Sequence, residues 1–116
     1  MLNNFNMKEK AVLQNTLKVL DELKYGYDKS QEALDSMRPV YNENEKIYTG
    51  EILNVFIISF FMTYDPRLAL DDLRHIIINA ETLKPLYIIT EHGYELIKYD
   101  SNGSAKKVSF ISPTFL

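Results

Sequence analysis

The stretch from Ile52 to Met62 (ILNVFIISFFM) restricts the fold more than any other, because it is apolar save for Asn54 and Ser59. Its eleven residues fall short of the roughly 20 that a helix needs to cross a bilayer. No membrane span is expected, so the run has to be hidden inside a protein core. A chain of 116 residues has room for one such core, and a single domain over residues 1–116 follows. The β-branched and aromatic side chains of the run suit a buried strand. Its length exceeds the ~8 residues at which strands usually stop, which favours a helix. Thr49 can cap that helix, with Glu51 in its first turn near the positive end of the dipole. The reading is a central buried helix over Thr49–Tyr64.

Other helices are read from spacing. Leu13, Thr16, Leu17, Leu20 and Leu23 fall at i, i+3, i+4, i+7 intervals, which predicts an amphipathic helix over Met7–Tyr25 stopped by Gly26. Asp28 with Gln31 resembles a capping box, and Ala33, Leu34 and Met37 share a face before Pro39. The polar VYNENEK stretch, Val40–Lys46, reads as a linker, too short to hold separate domains apart. Asp65-Pro66 opens a further helix, and Ala69, Leu70, Leu73, Ile76, Ile77 and Ala80 form its stripe. Beyond Pro85 the pattern changes. Leu86–Thr90, Tyr94–Tyr99 and Lys106–Ile111 are extended runs separated by Glu91-His92-Gly93 and by a turn with an Asn-Gly step, a hairpin signal. The expected fold is α+β: about four N-terminal helices packed on a C-terminal three-stranded antiparallel meander.

Little chemistry is visible. There is no cysteine, hence no disulfide, thiol nucleophile or thiolate metal site. His75 and His92 stand apart from any partner at ligand spacing, and no metal site is expected. The four glycines at 26, 50, 93 and 103 are scattered, so no loop cradles a phosphate and no cofactor is implied. No serine lies in a nucleophile motif. Asp71 and Asp72 diverge by about 100° if helical and cannot converge on one ligand. The N-terminus lacks a basic region followed by an apolar block, and a cytoplasmic protein is the expectation. Wealth in Ile, Lys, Asn and Tyr fits an AT-rich genome, such as that of a low-GC bacterium or its phages.

Three classes of function remain. Eight tyrosines are a surplus, and tyrosine favours binding surfaces because a rigid amphipathic ring gives contact area at little entropic cost. Tyr25, Tyr27, Tyr41 and Tyr48, with Asp28, Glu43 and Glu45, would make an acidic, aromatic surface for a basic protein partner. The leading expectation is a non-enzymatic protein that binds another protein, as inhibitors, immunity proteins and phage accessory factors do. A homodimer is also expected, because Ile78 lies off its helix stripe and Ile52–Met62 is apolar on several sides. The second class comes from Asp71–Tyr99, where Thr90, Glu91 and Gly93 give a cadence similar to the end of many winged-helix domains. That resemblance implies a DNA-binding regulator with Pro66–Ala80 as recognition helix. Asp71, Asp72 and the net charge of −3 argue against nucleic acid as a partner. The third is a small enzyme that assembles His92, Glu95 and Asp100 near the sheet turns.

Overall fold

A computed structural model describes residues 6–63 and 72–112. Two helices precede six strands: α1 (Met7–Glu22), α2 (Gln31–Ser36), β1 (Val40–Lys46), β2 (Ile52–Phe61), β3 (Leu73–Asn79), β4 (Pro85–Thr90), β5 (Gly93–Tyr99) and β6 (Ala105–Ile111). The strands form one antiparallel sheet in the order β1-β2-β3-β4-β5-β6. Four helices on a three-stranded meander is therefore incorrect. The three expected C-terminal strands exist as β4, β5 and β6, but they are half of a larger sheet.

The middle of the chain accounts for the difference. The run expected to be a helix is β2, and it lacks alternation because both of its faces are covered. Phe56, Ile58 and Phe60 join the core on the α1 side, while Val55 and Ile57 join a second cluster on the opposite side. A strand buried on two faces reads as continuously apolar. Leu73–Asn79 is β3, not helix, for the same reason: Ile76 and Ile78 face α1, and Ile77 faces away. The rest of that expected helix, from Asp65 to Asp71, lies outside the described residues. The VYNENEK stretch is not a linker but β1, polar because an edge strand meets solvent along one side. It bulges between Asn42 and Glu45, where Asn44 takes φ 53°.

The first helix is present with adjusted ends. Asn6 caps it, accepting from the Glu9 amide while Glu9 accepts from the Asn6 amide. Leu23 is its C-cap and Lys24, not Gly26, takes the left-handed φ of 53°. Its buried face is Val12, Leu13, Thr16, Val19 and Leu20. Compared with the expected stripe, the face is rotated toward the two valines, and Leu17 and Leu23 are only partly buried. Ser30, not Asp28, caps α2.

Two hydrogen bonds seat α1 across the sheet. The Asn15 side-chain amide donates to the Leu83 carbonyl (3.0 Å), and Glu22 accepts from the Ala105 amide (3.0 Å). After α1 the chain runs beside the end of β2. The Asp28 amide donates to the Phe61 carbonyl and the Thr63 amide to the Gly26 carbonyl, extending the sheet where β1 stops. Ile78, invoked for a dimer, is fully buried under α1, and most of the apolar run Ile52–Met62 is covered on the two faces of β2, with Ile52 and Phe61 left exposed. Among the described residues, no helix is long and apolar enough to cross a membrane.

Candidate binding cleft on the outer sheet face

The register of β1 to β5 places Val40, Ile57, Ile77, Tyr87 and Leu96 side by side in one row on the face away from α1. The next row is Ser59, His75, Ile89 and Tyr94. The β1–β2 turn folds onto the first row. It closes with Ile47 N–H to the Glu51 carbonyl and Gly50 N–H to the Ile47 carbonyl, both 2.9 Å. Gly50 has φ 93°, a conformation that a Cβ would strain, so the turn needs glycine there. Ile47 is thereby buried against Val55, Ile77 and Tyr87.

Tyr48, next in the turn, completes a tyrosine triad. Its ring lies 4.9 Å from Tyr87 and 5.8 Å from Tyr94, and the latter two are 5.5 Å apart. The Tyr48–Tyr87 and Tyr87–Tyr94 pairs are edge-to-face and Tyr48–Tyr94 is tilted; an edge-to-face pair adds roughly 0.5–1.5 kcal/mol beyond area burial. The triad borders an open cleft of about 580 Å³, walled by Glu45, Tyr48, Ile57, Ile89 and Tyr94. That volume lies in the ~300–1,000 Å³ range of ligand clefts. Burial pushes the Tyr87 hydroxyl up to about 12; the Tyr48 backbone pulls it down, and Tyr94 and Glu45 favour the neutral form. The phenol is therefore uncharged at neutral pH. Glu45 is partly buried and accepts from the Asn42 amide group (3.2 Å).

The six residues expected to form one protein-binding surface are divided among three places. Glu45 and Tyr48 line the cleft. Tyr41 lies half exposed on the α1 side of β1, against Phe56, with Glu43 exposed nearby in the same strand. Tyr25 and Tyr27 are core-side residues after α1, each edge-on to Phe60. Tyr27 is buried and donates to Asp21 (2.9 Å). The Tyr25 hydroxyl donates to Glu95 and accepts from Arg74, which also grips Asp72 through two hydrogen bonds. Burial first, then the Glu95 hydrogen bond, raises the Tyr25 hydroxyl well above the usual phenol range.

The structure places the three residues named for an enzyme site, His92, Glu95 and Asp100, apart from one another. Glu95 is engaged with Tyr25 and Arg74, His92 sits exposed beside Glu91, and Asp100 closes the β5–β6 turn by accepting from Asn102 and Ser104 amides. The three do not converge. Sequence reading misses Ser59 and His75, whose Oγ and Nδ1 are 2.6 Å apart across β2 and β3. A serine nucleophile also needs an oriented base and free N–H donors for the oxyanion. No third group orients the imidazole among the described residues. The pair is a cross-strand hydrogen bond between two polar groups on an apolar face. Among the described residues, no group of three or more His, Cys, Asp or Glu is placed to hold a metal.

The recognition helix expected over Pro66–Ala80 is not formed at Leu73–Asn79, which is a strand, and Thr90-Glu91-His92-Gly93 is a hairpin turn. Tyr87 and Tyr94 are the functional candidates that sequence reading passes over. They flank a hairpin turn that the sequence predicts, and pairing across it puts residues 87, 89, 94 and 96 on one face. No family model matches the chain, and neither a curated protein nor a solved structure does.

Proposed function

We propose that the protein works by binding another protein, in the manner of an inhibitor, immunity protein or phage accessory factor, and that the tyrosine cleft takes a basic side chain of that partner. One observation carries the reading: Tyr48, Tyr87 and Tyr94 meet beside the Glu45 carboxylate at an open cleft. Aromatic faces attract a cation through the ring quadrupole, worth about 0.5–2 kcal/mol depending on desolvation. A carboxylate at the rim adds direct charge pairing. The β1–β2 hairpin is acidic as a whole, with Glu43, Glu45 and Glu51 against Lys46. The cleft is open rather than enclosed, which suits a side chain delivered on a protein surface.

The test uses a short Gly-Arg-Gly peptide and its citrulline counterpart, equal in shape and without charge. Ring-proton shifts of Tyr48 and Tyr94 are expected with the arginine peptide only. They should vanish in Tyr48→Ala and weaken in Glu45→Gln. Equal response to citrulline, or shifts confined to residues outside the cleft, overturns the reading.

A further inference from the structure

The sheet has two open edges, built in different ways. Along β1 the edge is broken by the Asn42–Glu45 bulge and the left-handed Asn44, and it is lined by polar residues. Such features blunt an edge against added strands. β6 has its irregularity near its start, where Lys98 pairs Lys107 and Tyr99 pairs Ala105. From Lys107 to Ile111 it pairs residue for residue with β5, and among the described residues no strand lies on its other side. Its outward N–H and C=O groups are a template for a further strand.

Two side-chain features point to what that strand carries. Lys98 and Lys107 are direct cross-strand partners and both are exposed. Like charges opposed in this way destabilise the pairing. A lysine on the edge strand is explained by protection against aggregation, but Lys98 is on β5, one strand in. The neighbouring Lys106 is neutralised by Asp100 at 3.4 Å; Lys98 and Lys107 have no ion-pair partner among the described residues. On the opposite face Phe110 is 56% exposed, with half-buried Val108 two residues away.

We propose that β6 accepts an extended, acidic segment of a partner protein as a seventh strand. The segment's backbone ladders onto Lys107–Ile111. Because strand side chains alternate, one face of the segment brings a carboxylate to Lys107 and within reach of Lys98, and the other lays an apolar side chain on Val108 and Phe110. This site adjoins the tyrosine cleft, since Ile111 pairs with Tyr94 and Lys98 lines a pocket together with Tyr48, but it has the opposite charge preference.

The experiment titrates ¹⁵N-labelled protein with a seven-residue peptide alternating Glu and Val. Three comparison probes are the Lys-for-Glu peptide, a Glu/Val peptide N-methylated at alternate residues, and a short DNA duplex. The Glu/Val peptide should shift and protect the amides of residues 107–111. Exposed ion pairs are individually weak, so the double variant Lys98→Gln with Lys107→Gln should weaken binding about tenfold while leaving the free protein's spectrum otherwise folded. Loss of binding on N-methylation supports a backbone ladder. The proposal is overturned if the lysine or N-methylated peptide binds as well, if DNA shifts the same amides, or if those amides shift with the protein's own concentration, which would assign the edge to a second copy.

Discussion

One sheet carries two faces closed by different means. On the inner face, α1 covers a continuous core that includes Phe56, Ile58, Phe60, Ile76, Ile78 and Ile88. On the outer face the buried cluster among the described residues is Ile47, Val55, Ile77 and Tyr87, under a turn that belongs to the adjoining hairpin. The inner cover comes from a distant stretch of the chain and is tied down at several points. The outer cover is local: it is the β1–β2 turn alone, which rests on the sheet through Ile47 and Tyr48. An element held by few buried contacts opens at low cost. Stability is therefore concentrated on the α1 side, which leaves the tyrosine side able to adapt to a partner.

The comparison can be broken by deleting one large ring from each face. Phe60 is 1% exposed and meets Tyr25 and Tyr27 edge-on. Phe60→Ala should destabilise by about 3–5 kcal/mol, read from urea unfolding followed by circular dichroism. Tyr87→Ala should cost less than half as much, because the turn above it can settle into the space. Equal losses would mean that the outer cluster supports the fold as strongly as the core does.

Alkaline titration sharpens the contrast at smaller amplitude. Burial pushes both Tyr27, on the inner side, and Tyr87, on the outer, up to about 12. A raised phenol pKa means that the fold favours the neutral form. Their contribution is intact below pH ~10 and is lost as pH rises toward ~12. Loss of the α1 helical signal should accompany ionisation of Tyr27, whereas ionisation of Tyr87 should perturb only the turn and the Tyr48 and Tyr94 resonances. Simultaneous loss of both sets of signals would contradict independent faces.

The smallest effect is a gain. Thr16 is fully buried in α1 and its hydroxyl has no hydrogen-bond partner among the described residues. A buried polar group without a partner costs about 1–3 kcal/mol. Thr16→Val should raise inner-face stability by about 1 kcal/mol, seen as a higher urea midpoint with unchanged slope. A loss would show that the hydroxyl is satisfied in solution.

What is legible in the sequence follows from how each element is covered. α1 has one buried stripe and an exposed back, so its period is clear. The strands β4 to β6 are separated by turns whose residues have recognisable jobs, such as Asp100 accepting two amides and Gly103 at φ 83°. β2 and β3 are covered on both faces, which erases the two-residue period, and three consecutive isoleucines at 76–78 satisfy helical spacing by coincidence. The better guide there is β-branching, which favours strands. Within the cleft, Glu45 and Tyr48 stand out in the sequence because they sit in a polar, tyrosine-containing stretch. Tyr87 and Tyr94 are legible only through the parity of a hairpin, and Ile57 and Ile77 only once their run is known to be extended.

Every strand pairs with its neighbour in the chain, yet α1 is bonded to Leu83 and Ala105, partners 68 and 83 residues away. Nearest-neighbour pairing closes small loops and favours quick assembly, while distant contacts form late. On a ribosome, α1 can therefore begin to dock once β3 and β4 have emerged, but its seat is complete only after β6 has followed. Until then part of its apolar face, Val12, Leu13, Val19 and Leu20, stays open to solvent, and in that interval the newborn chain is most open to a chaperone or to clumping with its siblings.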